Sequence, residues 1–152
     1  MFTRIFPLAA FLMGLLMLTG CSSAPKLERI GVQVKELTST TSGTMITLRF
    51  INPNNVPLVV PGSEHTLYLN GTLVGFIKNR KALGIPPLGT VTESIALFGD
   101  TAKSAGHFIA DHPGSAAYTL ESTLRLNWND DIYNYKTSDQ GHVTLNPTSV
   151  AP

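Results

Sequence analysis

The sequence predicts an all-β domain: an antiparallel β-sandwich of about seven strands with one short helix. Three observations predict it. Apolar residues recur with a period of two along most of the chain. Clusters of Asn, Pro, Gly and Ser interrupt those runs at short intervals. One stretch, residues 100–112, changes to a helical period.

Leu27 to Leu37 alternates Ile30, Val32 and Val34 with Gly31, Gln33 and Lys35, which reads as a half-buried strand. Thr38 to Thr44 reads as a turn. Met45 to Ile51 places Ile46, Leu48 and Phe50 on one face. Asn52-Pro53-Asn54-Asn55-Val56-Pro57 then ends the strand. Proline donates no ladder hydrogen bond, and Asn side chains bond to nearby backbone. Leu58-Val59-Val60 is extended again up to Pro61-Gly62.

Asn70-Gly71 lies between Thr66–Leu69 and Leu73–Ile77. Asn-Gly between alternating runs is the strongest short hairpin signal, because both residues accept the positive φ of a type I′ turn. Ile85-Pro86-Pro87-Leu88-Gly89 predicts another rigid turn. Val91 to Phe98 predicts a strand, although Glu93 on its more apolar face leaves the inward face open. Asp100 is the expected N-cap of the helix, and Pro113-Gly114 its stop. Tyr118 to Trp128 alternates over a long strand. Ile132–Thr137 returns after Asn129-Asp130-Asp131, and His142–Leu145 forms a last short strand. Residues 27–146 form the domain, and residues 147–152 a loose tail.

The N-terminus reads as an address. Arg4 precedes an apolar run from Ile5 to Leu18. That run is shorter than the roughly 20 residues that span a bilayer, so it reads as a secretory signal. It ends in Leu18-Thr19-Gly20-Cys21, which resembles the bacterial lipobox. The resemblance implies a diacylglycerol on the Cys21 sulfur, cleavage after Gly20 and a short tether over residues 22–26. Several acyl chains anchor stably where one does not. Ser22 follows the cysteine, and by the usual sorting pattern a residue other than Asp there favours the outer membrane. The domain is therefore expected to face the periplasm, with a flip to the cell surface as the alternative.

Composition narrows the function. Lys+Arg number 11 and Asp+Glu 10, a formal charge of +1, which offers no basic stripe for nucleic acid. The single cysteine, Cys21, has no partner for an internal disulfide.

Catalytic and metal motifs are sparse. Of the histidines, His107 and His112 are five apart and diverge on a helix. His107 and Asp111 share a face but read as a solvated pair. Asn129, Asp130, Asp131 and Asp139 are hard oxygen ligands of the kind that hold Ca²⁺, yet turn formation accounts for them. Ser63 and His65 are close in sequence without a nucleophile elbow. Trp128, Tyr133 and Tyr135 read as core aromatics, with sugar or peptide stacking as the rival. No catalytic residue, metal or cofactor is expected.

The centre of the chain resembles the late embryogenesis abundant type 2 family, or WHy domain (water stress and hypersensitive response). The matching residues are Leu48-Arg49-Phe50-Ile51-Asn52-Pro53-Asn54, Pro57-Leu58, Tyr68-Leu69-Asn70-Gly71, Val74-Gly75, Ile85-Pro86 and Gly89. A further Gly that the family often carries after Val-Gly is replaced here by Phe76 and Ile77. The resemblance implies a fibronectin type III-like sandwich and a stress-associated protein without catalytic chemistry. Its expected contacts are the membrane, through the anchor, and protein clients or an envelope partner. The rival expectation is a periplasmic adaptor that binds a partner along an edge strand.

Overall fold

The computed structural model describes residues 27–128 and 131–147. The chain forms β1 (Gly31–Thr40), β2 (Gly43–Ile51), β3 (Leu58–Leu69), β4 (Thr72–Asn79) and β5 (Leu83–Ile85), then β6 (Thr90–Ala96), α1 (Gly99–Asp111), β7 (Gly114–Trp128) and β8 (Asp131–Pro147). Among the described residues, the expected all-β architecture with one short helix is what forms.

The strands make one hydrogen-bonded path, β4-β3-β7-β8-β1-β2-β6, with β5 beside β3. The two halves of the sandwich are thus one curled sheet. The 17-residue β8 joins them, pairing with β7 along its length and with β1 near its end. The β1–β8 ladder is parallel, so the sheet is not wholly antiparallel as expected. The cause is topological: the first and last strands both run away from the end where Leu27 enters.

That end, the basal end, holds the 52–57 and 86–89 loops and the paired residues Trp128 and Asp131 of β7 and β8. The opposite, apical end holds Thr41-Ser42, Asn70-Gly71 and α1. The free strands at the ends of the path, β4 and β6, are bridged by side chains: Asn79 Nδ2 donates to Glu93 Oε2 at 2.9 Å.

Alternation dictates the core. Every second residue of β2, namely Ile46, Leu48 and Phe50, is buried, and Leu37, Leu67, Leu120 and Leu124 meet them in one cluster. On β6 the face carrying Glu93 and Ile95 is the inward one.

Several sequence expectations need correction. The Thr38–Thr44 segment is mostly strand, because its Thr residues suit a ladder and only Thr41-Ser42 turns. The runs on either side of Pro61 are a single strand. A register shift between Val59 and Gly62 accommodates the proline, a usual place for a residue without an N–H. β7 starts at Gly114 rather than Tyr118, and β8 is one strand rather than two. Its polar middle, Ser138-Asp139-Gln140-Gly141, hid the continuity. Gly141 lies opposite Tyr118, and a Cβ there would sit 3.0 Å from that ring. The helix is capped by Phe98 without a side-chain bond. Asp100 sits inside the first turn, where its charge faces the positive end of the helix dipole. Pro147, expected in the tail, closes β8.

Candidate functional site

The basal end is built from the asparagine–proline segment. β2 stops at Ile51, and Asn52 and Asn54 turn inward and are buried. Asn52 N donates to Gly89 O at 2.9 Å. Asn52 Nδ2 donates to Val56 O at 2.8 Å and to Pro86 O at 3.0 Å. Its Oδ1 accepts from Asn54 N and from Asn54 Nδ2, both at 3.0 Å. Asn54 Oδ1 accepts from Glu28 N at 2.7 Å, and Leu88 N donates to Asn54 O at 2.8 Å. Three segments that lack ladder partners are thus knotted together: the entering chain, the 52–57 loop and the 86–89 loop. A side-chain amide suits this work because it carries both donors and an acceptor.

The loop after β5 is strained. Leu88 has φ +49 and is 74% exposed. Pro86 and Pro87 stiffen the approach, and Gly89 N donates to Pro86 O at 3.2 Å.

The other family-motif residues lie at the apical end. Asn70 (φ 46) and Gly71 (φ 78) form the expected tight turn. Asn70 also docks the start of β7, since Asn70 N donates to Ala117 O and Asn70 Oδ1 accepts from Ala117 N. Gly75 has φ +156, and a Cβ there would meet the Thr101 side chain at 2.3 Å. The glycine is the place where α1 touches β4. The structure therefore splits the motif: Asn52, Pro53, Asn54, Ile85 and Pro86 converge basally, while Asn70, Gly71 and Gly75 serve the apical turn and helix contact. Cys21, Leu18, Thr19 and Gly20 lie outside the described residues.

A second polar cluster is internal. His65 is buried between two serines, with Nε2 2.8 Å from Ser63 Oγ and Nδ1 2.8 Å from Ser122 Oγ. In the neutral ring one nitrogen donates and the other accepts. Burial pushes its pKa down from 6.5 to about 4. Phe50 meets the ring edge-to-face, with centroids 6.2 Å apart. Ser63 and His65 do come together, but the third partner is a hydroxyl and all three groups are buried. Sequence reasoning missed Ser122, which only the β3–β7 register opposes to His65.

An open groove of about 830 Å³ crosses the outer face of β3, β4, β7 and β8, lined in part by Arg29, Phe76, Lys78, Glu121 and Lys136. Glu64 and Lys78 pair across it at 2.9 Å, both well exposed. Among the described residues no three His, Cys, Asp or Glu side chains group as metal ligands. Asp131 accepts from Tyr133 and Asp139 from Tyr118, while Asn129 and Asp130 lie outside the described residues. His112 stacks on Phe108 rather than joining His107. The expected aromatic trio divides: Trp128 and Tyr135 pack on the core, and Tyr133 is exposed.

No family model and no curated protein matches the chain. Among solved structures it is similar to a protein from Archaeoglobus fulgidus, with a TM-score of 0.46 and 18% identity, covering 83% of this chain and 100% of that one. It is also similar to an Arabidopsis thaliana protein, with a TM-score of 0.46 and 16% identity, covering 83% and 89%. A candidate late embryogenesis abundant protein matches with a TM-score of 0.46 and 14% identity, covering 91% and 85%.

Proposed function

We propose that this chain is a non-enzymatic envelope lipoprotein of the late embryogenesis abundant type 2 kind. It is held by lipid on Cys21 at the outer membrane, faces the periplasm, and shields proteins or membranes when water is lost. The observation that carries the reading is the basal knot. Asn52-Pro53-Asn54 and Ile85-Pro86, on which the resemblance rests, are far apart in sequence yet form one hydrogen-bonded unit with Gly89. They work as parts of one device rather than as scattered turn residues. Protection would come from a stable surface and excluded volume, without a reacting group. Residues 22–152, free of lipid, should preserve a labile enzyme through drying or freeze–thaw better than an equal mass of serum albumin. Protection equal to albumin would overturn the shielding role.

The adaptor reading has one specific observation in its favour. β6 ends the sheet path, and its exposed residues Thr90, Thr92, Ser94 and Ala96 are uncharged. Such an edge is open to strand addition. A photo-crosslinker at Ser94 in living cells should then capture one discrete envelope protein, and its failure to do so would count against an adaptor.

A further inference from the structure

We infer that the basal end of the domain rests in the lipid headgroup layer, with Leu88 as its leading side chain. This deepens the lipid-anchored reading and rests on it.

Reach comes first. Six residue steps separate Cys21 from Leu27, and a chain of that length spans at most about 20 Å. The 15-residue β7 alone is about 50 Å long. An anchor on Cys21 therefore keeps the basal end at the bilayer and leaves the apical end free to stand away from it.

Surface chemistry comes second. Val59, Leu88, Ile132 and Tyr133 are exposed large apolar residues, and all four belong to the basal end. Val59 and Ile132 face out on one row, each opposite Asn127. Tyr133 carries an apolar ring with a polar tip, the kind of side chain that settles at a membrane–water interface. The charge nearby is mixed, Arg29, Arg80 and Lys81 against Glu28 and Asp131, so the apolar side chains carry the inference rather than a basic patch.

Backbone strain comes third. The left-handed region at Leu88 crowds an L-residue's Cβ, and Gly or Asn suits it better. Leu88 is also absent from the hydrophobic core. A strained, exposed leucine on a proline-stiffened loop does little for folding, and a lipid surface gives it a use. Leu73 and Phe98 are exposed near the apical end, beyond the tether's hold, and serve as the control.

The mature, acylated chain is purified from cell envelopes and reconstituted into vesicles of phosphatidylethanolamine and phosphatidylglycerol. Trp128, the one tryptophan, is first replaced by Trp128→Phe. A tryptophan reporter is then placed by Leu88→Trp or, separately, by Leu73→Trp. Lipids brominated near the headgroup should quench the Leu88→Trp reporter roughly twofold and leave the Leu73→Trp reporter unchanged. In the otherwise native chain, Leu88→Asn should reduce quenching of Trp128 without lowering the urea midpoint, since Asn relieves the strain. If the protein floats with the vesicles but the Leu88→Trp reporter is unquenched, or quenched no more than Leu73→Trp, the docked end is wrong and the anchor stands. If mass spectrometry finds no acyl chain on Cys21, the anchor and the docked end both fail.

Discussion

The side-chain amide of Asn52 donates to the main-chain carbonyl of Pro86, 34 residues away, at 3.0 Å. Val56 O, the other acceptor of that amide, belongs to Asn52's own loop, so one group fastens two connections that no ladder reaches. Asn52→Ala leaves both carbonyls without this donor and strips Asn54 of an acceptor. Each unsatisfied buried group costs about 1–3 kcal/mol, so a total near 3 kcal/mol is expected. Asn52→Asp should be no milder: it keeps the acceptor but points a carboxylate at two carbonyls. Urea unfolding checks this, with a lower midpoint at unchanged slope.

Gly75 and Thr101 set the distance between β4 and α1. Gly75→Ala adds a Cβ at 2.3 Å from Thr101 Oγ1, at a φ that L-residues avoid. The expected cost is about 1–3 kcal/mol. Part of it is contact and part is backbone. In a Thr101→Gly background the contact part disappears, so Gly75→Ala should cost less there. A double-mutant cycle measures the difference, and strict additivity would sink the contact account.

Local chemistry was legible in the sequence, and partnership across the chain was not. Asn70-Gly71 could be read directly because its turn needs only its own two residues. Asn52 was readable as a turn former, but nothing near it in sequence names Pro86 or Gly89. Pro61 looked like a strand end because a missing N–H normally is one. Only the shift against β7 shows how β3 passes through. The stretch Ser138–Gly141 broke the apolar period, yet Asp139 is held by Tyr118 Oη at 2.5 Å and Gly141 makes room for the same ring. Gly75 stood in the family pattern, whereas its reason, a helix landing on it, is purely tertiary.

Glu93 links the two free strands of the curled sheet. It accepts from Asn79 at 2.9 Å and pairs with Lys81 at 3.1 Å. The carboxylate is nearly buried, while Lys81 is 77% exposed. Solvent screens an exposed partner, so Lys81→Ala should cost under about 1 kcal/mol. Asn79→Ala removes a neutral donor from a buried charge and should cost about 1–3 kcal/mol. High salt separates the two. The Lys81→Ala effect should fade at about 1 M NaCl, where the Debye length is near 3 Å, and the Asn79→Ala effect should persist.

His65 makes stability depend on pH with a definite sign. Its pKa is about 4 in the fold and 6.5 when unperturbed, because burial disfavours the charged ring. Between those values the unfolded chain binds a proton that the folded chain refuses. Stability is therefore complete above pH 6.5 and falls as the pH drops toward 4, by about 3 kcal/mol over the window. Below 4 this contribution is flat. Protonation would give both ring nitrogens a hydrogen and end the arrangement in which one accepts from a serine. His65→Gln removes the titrating group while leaving an amide between Ser63 and Ser122. The variant should be less stable at neutral pH and lose this part of the acid slope. His107, His112 and His142 are exposed and remain in both proteins, so the difference between the two curves isolates His65. Urea midpoints measured from about pH 7.5 down to 4 check it, and parallel curves for the two proteins would assign the slope to other groups.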